Sequence, residues 1–393
     1  MRTIFLNWKN GENDPFSVFN NTLAKYFQRS GKDVEIIEVS NKGWIDQLMT
    51  VYAEGIEFVL TWQGIQSNLK MSTGIGFWDY FKIPLICLHG DHPCHMPDNH
   101  ISDGEYVRHI YTDPLFSVYS NQHFRGKRGA VTLFPPLLHD DQQNDLERGG
   151  DFFVMAKNIT HPHLMKKYWK EGLDPVIYKL FIELIDLFNT QLMSQPYLDS
   201  HSLVDNYLKD QDLEQFFDPE ISNVYHYLHN QIDFYARNHK SVELVRALED
   251  FPLKIYGRGW EAVKKSNRHE YYAGLQMKNS QHLYFSSYGI IDISPSVGLH
   301  DRTLRALCNG SSFLSSAHIA NEFSNFSKFQ NLFYGFNGEI VEKCELVMLN
   351  PELHNQLSKE FGVEYESRFS HDEFALKIIM IANSMQTNVH SHS

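Results

Sequence analysis

Four cysteines in 393 residues, Cys87, Cys94, Cys308 and Cys344, are too few and too scattered for a disulfide framework, and none forms a CxxC pair. Cations are also scarce: 35 Lys and Arg stand against 48 Asp and Glu, a formal net charge of −13. Holding a phosphate backbone needs clustered cations, so this balance speaks against a nucleic-acid or anionic-membrane binder. It leaves room for a local basic site that takes one small phosphate ligand. No apolar run is long enough to cross a bilayer. The most apolar long stretch, Val176 to Leu192, is broken by Lys179, Glu183 and Asp186 and reads as a buried helix. Met1 to Lys9 has neither the apolar run nor the cleavage site of a signal peptide. Together these absences predict a soluble, cytoplasmic protein with no integral membrane segment. There is no Walker A sequence and no GxSxG. Gly74-Ile75-Gly76 lacks the third glycine and the following acid of a dinucleotide fingerprint.

What is present is ordinary globular composition, 42% hydrophobic and 21% charged, in a chain long enough for two domains. The first third alternates short apolar runs with helical patterns. Thr3 to Leu6, Val34 to Val39, Phe58 to Trp62 and Ile83 to Leu88 read as strands. Phe16, Phe19, Leu23, Tyr26 and Phe27 repeat at helical spacing ahead of Gly31, and a second helix runs around Trp44 to Ala53. Strands separated by helix-length segments predict βαβ units and a parallel sheet. Ligands usually bind at the carboxyl ends of such strands, here the loops Asn7 to Asp14, Gln63 to Ser67 and His89 to His100.

The polar stretch Gln142 to Gly150 marks a domain boundary, predicting domains over 1–150 and 151–393. Phe152 to Met155 starts a new strand, and Pro162 to about Glu249 is almost wholly helical. Strands return at Leu253 to Tyr256, Gly289 to Ile293 and Ser312 to Leu314. Ser370 with Glu373 forms a capping box before Phe374, Ile378, Ile381 and Met385, and the tail His390 to Ser393 is expected to fray. The predicted fold class is therefore α/β: two Rossmann-like domains facing a cleft, with a helical insert in the second.

Tyr288 to Ser316 carries the most information: strand, a turn rich in Ser, Pro and Gly, helix, Gly310, strand. The turn Ser294 to Leu299 offers backbone N–H groups at a helix N-terminus, a setting that suits phosphate. Arg302 sits in the first turn of that helix, where the dipole disfavours a cation. An anionic ligand would remove the conflict. So would a carboxylate partner such as Asp301.

The run Gly298-Leu-His-Asp-Arg-Thr-Leu-Arg-Ala-Leu-Cys-Asn-Gly310 resembles the donor-site helix of GT-B glycosyltransferases of the spore-maturation CgeB type and their group-1 relatives. Upstream, Ile255-Tyr256-Gly257-Arg258-Gly259-Trp260 resembles the same family's strand-to-glycine turn. The likeness covers roughly 240 to 320, and only the βαβ layout extends it to the first 150 residues. It implies a two-domain glycosyltransferase whose first domain binds acceptor and whose second binds a nucleotide sugar. The final helix would pack back on the first domain. By the same likeness, Gly257 and Gly259, with Arg258 between them, let the backbone approach the nucleotide. Arg302 would contact the donor diphosphate, helped by Ser294, Ser296, Gly298 and His300 in the turn. The group-1 pair of glutamates is absent: Val297 and Arg305 occupy those positions. Arg305 adds positive charge there or faces solvent. This departure favours an inverting enzyme.

An inverting transfer needs a general base. Asp91 and His92, in the segment Leu88 to Pro93 after the fourth strand, are the candidates; His89, His92 and Asp14 rival Asp91. Asp91 is also an ordinary turn residue before X-Pro. GT-B enzymes typically hold no essential metal, so the expectation is no cofactor beyond the nucleotide-sugar co-substrate. The acceptor is expected to be a glycan, protein or small molecule, not nucleic acid. Cys87, His89, Asp91, His92, Cys94, His95, Asp98 and His100 lie close together and could ligate zinc, but their spacing matches no established pattern. Three other readings compete: a nucleotide-sugar epimerase, a non-catalytic nucleotide- or sugar-binding protein of the same fold, and a metal-dependent hydrolase centred on 87–100.

Overall fold

The computed structural model describes residues 1–8, 15–101, 104–124, 129–137, 150–192, 199–217, 223–263, 266–275, 277–293, 299–316, 326–335 and 338–387. Two compact units emerge, one made of 1–140 with 366–393 and the other of 141–365.

The first unit is built on a six-stranded parallel sheet. Its strands are β1 (Arg2–Asn7), β2 (Asp33–Glu38), β3 (Ile56–Trp62), β4 (Leu85–His89), β5 (Val107–Tyr111) and β6 (Val131–Thr132), in the order β2-β1-β3-β4-β5-β6. The central strands are buried on both faces, which is why they read as continuous apolar runs. The helix Pro15–Arg29 presents Leu23, Ala24 and Phe27 to Phe5, Phe58 and Leu60. The helix His371–Thr387 adds Phe374, Ala375, Ile378, Ala382 and Met385 to the same core. Ser370 Oγ accepts from the Glu373 N–H at 3.2 Å, the first half of the expected cap. Near the other end, Gln386 Nε2 donates to the Glu57 carbonyl at 2.9 Å. The opposite sheet face packs Ile4, Leu6, Ile37 and Val59 on Leu48 and Val51 of the helix Trp44–Glu54.

The second unit carries a five-stranded parallel sheet of β7 (Phe153–Ala156), β8 (Leu253–Tyr256), β9 (His269–Tyr272), β10 (Gly289–Asp292) and β11 (Phe313–Ser315). Their order is β11-β10-β7-β8-β9. Between β7 and β8 lies the helical segment Pro162–Gly172, Pro175–Leu192, Ser200–Asp210 and Asn223–Ala247. The helix Asp301–Cys308 joins β10 to β11, and Gly310 at φ 64° turns the chain out of it.

Sequence periodicity misses β5, β6 and β9. Arg108 and His109 interrupt the apolar run of β5, and the burial of His109 comes from neighbours distant in sequence. Edge strand β9, His-Glu-Tyr-Tyr, has only its first residue buried, so its pattern is polar.

Candidate functional site

In the second sheet the chain starts at β7, runs outward through β8 and β9, then returns to place β10 on the other side of β7. The carboxyl ends of β7 and β10 therefore flank the switch point, where open α/β sheets bind ligands. Lys157 follows β7, Asp292 ends β10, and Arg302 lies in the helix that follows β10. Arg302 Nη1 donates to Asp292 Oδ1 at 3.2 Å, and Thr303 Oγ1 donates to Asp292 Oδ2 at 3.1 Å. Asp292 is only 1% exposed, whereas the Arg302 side chain keeps 27% of its surface open. The cation that opposed the helix dipole is thus anchored by a buried carboxylate on the preceding strand, not by Asp301. Asp301 instead pairs with His300 and with Arg305, whose Nη2 is 2.9 Å away. Burial works against the Asp301 charge, but His300, Arg305 and Arg302 outweigh it and hold its carboxyl well below the usual range. His300 caps the helix through Nδ1, accepting from the Arg302 N–H at 3.4 Å.

Lys157 is the residue that sequence reasoning missed. Burial, then the charges of Arg237 and Arg302, pull its ammonium pKa down to about 7, against the opposing pull of Asp292 and Asp233. No carboxylate among the described residues pairs directly with it. A lysine so placed gains by meeting an anion. Only its position one residue past an apolar strand would have flagged it.

Gly257 and Gly259 have a reason for being glycine inside the fold. At φ 149° and 89°, their backbone lies so close to the segment after β7 that a Cβ would stand 2.0 Å from the Lys157 carbonyl oxygen and 1.9 Å from that of Ile159. The two segments are also stitched together: Ile159 N donates to the Arg258 carbonyl at 2.9 Å, and Arg258 N to Asn158 Oδ1 at 2.9 Å. Trp260 Nε1 donates to the Lys157 carbonyl at 2.8 Å. The glycine turn fixes the backbone that carries Lys157. Ser294, Ser296, Val297 and Gly298 lie outside the described residues, as does Asp14. His161 caps the helix Pro162–Gly172, its Nδ1 accepting from His163 N at 3.2 Å.

In the first unit, Gln63 at the end of β3 adopts φ 52°, a strained value for a residue with a side chain. Its N–H donates to the Leu88 carbonyl at 2.7 Å, and its own carbonyl accepts from Asn99 Nδ2 at 2.8 Å. So held, its side-chain amide donates to Asp91 Oδ2 at 2.7 Å. Asp91 is partly exposed and oriented. His92 is 1% exposed; its Nδ1 caps the short helix Pro93–His95, and its ring packs edge-on against Phe116 and Tyr119. His89 is fully buried, and its imidazole pKa lies well below the ordinary value because of burial and then His100 and His109. Of the two catalytic candidates, only Asp91 presents a carboxylate that solvent can reach.

The two parallel sheets give the chain an α/β fold of the GT-B type. It superposes on the DNA-modifying enzyme β-glucosyltransferase, solved with and without uridine diphosphoglucose, over 97% of this chain and 99% of that one, with TM-score 0.54 and 7% identity. T4 phage β-glucosyltransferase matches over 96% and 98% with TM-score 0.52, again at 7% identity. At that identity the likeness is one of fold. No family model matches the sequence, and no curated protein matches it.

Proposed function

We propose that this chain is a glycosyltransferase that moves a sugar from a nucleotide-sugar donor to an acceptor hydroxyl, with inversion at the anomeric carbon. The second unit holds the donor and the first supplies acceptor and base. The observation that carries the reading is the convergence of Lys157 and Arg302 at the β7–β10 switch point, with Asp292 locking the arginine. In the reaction the acceptor oxygen attacks the anomeric carbon as Asp91 takes its proton. The bond from that carbon to the diphosphate oxygen breaks, and the nucleoside diphosphate leaves with the electron pair. Lys157 and Arg302 offset the charge that develops on it. Preformed cations at this point supply the counter-charge that a divalent metal would otherwise bring, so transfer proceeds without added metal. His300 and Arg305 shape the approach, Arg305 through its pair with Asp301. The motif likeness to the CgeB-type enzymes supports the same assignment of donor-binding roles.

The solved neighbour modifies DNA. A net charge of −13 describes the whole chain and does not govern one local surface. DNA therefore joins glycans, proteins and small molecules among the acceptors to assay.

A thermal-shift screen of nucleoside diphosphates and nucleotide sugars, led by uridine diphosphoglucose, tests the reading. A true ligand at about 100 times its dissociation constant stabilises the fold by about 2.7 kcal/mol. One nucleotide family should raise the melting temperature, and its sugar conjugate should be slowly hydrolysed when water replaces the acceptor. Binding without turnover under any acceptor would leave a non-catalytic binding protein. A melt unmoved by every nucleotide would end the donor-site assignment.

Lys157 gives this reading a pH signature. With its pKa near 7 in the free protein, the lysine is partly neutral above that pH, and a bound diphosphate favours the charged form. Binding must then take up a proton. Affinity for a nucleotide sugar is expected to be flat below pH 7 and to fall above it, by at most about tenfold per pH unit. Calorimetry at pH 8 in two buffers of different ionisation enthalpy should detect the uptake, and Lys157→Arg should abolish it. Equal proton uptake in the Lys157→Arg variant would remove Lys157 from the site.

A further inference from the structure

We propose that Cys87, His89 and His109 form a zinc site that ties β4 to β5 inside the first unit. Cys87 and His109 are directly paired across the two parallel strands, and His89 lies two residues beyond Cys87 on the same face. One donor atom from each of the three falls within 4.8 Å of the others. They are buried to 0%, 0% and 6% exposure, at sheet positions that parallel strands ordinarily fill with Val, Ile or Leu.

The hydrogen bonding shows two buried imidazoles already turned toward each other. His89 Nε2 lies 2.8 Å from His109 Nδ1, so the rings share one hydrogen bond. His89 Nδ1 and His109 Nε2 are then left buried without any partner. Each lies across its ring from the shared hydrogen bond and is costly to bury, because it recovers no hydrogen bond for the one it made with water. The Cys87 thiol belongs to the same cluster and is in no disulfide. One thiolate and two neutral imidazoles are the donor chemistry that zinc prefers among common biological cations. His89 also stacks on Tyr111 at 4.8 Å between ring centroids, which holds its plane as second-layer contacts hold metal-bound imidazoles. On binding, the thiol proton leaves to solvent, the proton shared between the facing nitrogens His89 Nε2 and His109 Nδ1 moves to an outer ring nitrogen, two nitrogen–zinc bonds replace their hydrogen bond, and no electron is transferred. The site is structural. It does not rest on the glycosyltransferase reading and stands or falls separately from it.

Spacing along the sequence hides this group. The crowded run 87–100 holds only two of the three donors, and His109 arrives from the neighbouring strand.

The full-length protein, purified from zinc-supplemented culture and dialysed, should retain one zinc per chain. X-ray absorption at the zinc edge should show one sulfur and at least two imidazole scatterers. Exchange for cobalt should give a thiolate-to-cobalt charge-transfer band that survives Cys94→Ala and disappears in Cys87→Ala. If Cys87→Ala does not fold, the absorption measurement on the wild type together with the cobalt band of Cys94→Ala decides the matter. Zinc content far below one per chain, a shell without sulfur, or a band that depends on Cys94 and not on Cys87 would overturn the proposal.

Discussion

With Asp91 as the proposed base, Asp91→Asn should lower kcat for sugar transfer by about two to four orders of magnitude and leave nucleotide-sugar affinity unchanged, because the change removes the proton acceptor alone. Asn is nearly isosteric, and its side-chain oxygen still accepts from Gln63 Nε2, the 2.7 Å contact that orients Asp91. Folding should therefore survive, and circular dichroism with a thermal melt will check it. His92 serves as the contrast. Its ring fills a buried slot between Phe116 and Tyr119 and caps a helix, so His92→Ala should cost stability through cavity and cap while the folded fraction keeps its turnover. An Asp91→Asn enzyme with near-normal kcat would return the base to the unassigned residues.

Arg302→Gln carries the second large effect. Loss of one preorganised cation at the leaving group should lower transfer by about 10²–10³. Donor affinity should fall as well, since on the proposed reading the same guanidinium also meets the ground-state diphosphate. Stability enters too, because Asp292 is buried and would lose its ionic partner. Breaking a fully buried pair costs about 3–5 kcal/mol. Here Arg302 is partly open to solvent and Thr303 Oγ1 still donates to the carboxylate, so a loss of about 2 kcal/mol is expected. The double variant Asp292→Asn with Arg302→Gln separates the two effects. It removes both charges, so the melting temperature should recover while transfer stays low. Recovery of transfer along with stability would mean that Arg302 acts only as the structural partner of Asp292.

The setting of Arg302 explains what could be read of this site in advance. Arg302 stood out locally because a cation in the first turn of a helix conflicts with the helix dipole. Its actual partner, Asp292, gave no such signal: the sequence shows only an aspartate closing an apolar strand. The two glycines at 257 and 259 were visible as a motif, but their necessity comes from the carbonyls of Lys157 and Ile159, contributed by a strand on the far side of the helical segment 162–247.

What is determined locally could be read from the chain alone. Apolar runs and helical spacing placed β1 to β4, β7, β8, β10 and β11, and the caps at His300, Gly310 and Ser370 lie where short-range backbone chemistry demands them. The α/β class follows from their alternation. Tertiary structure decided the rest, since a parallel sheet joins residues that crossover connections keep far apart in sequence. It buried His109 in β5, set it beside Cys87 and His89, and gave the final helix to the first core. It also placed Lys157 near Arg302 at the end of β7. Strand order determines that neighbourhood, and strand order is a property of pairing between distant segments that no local pattern encodes.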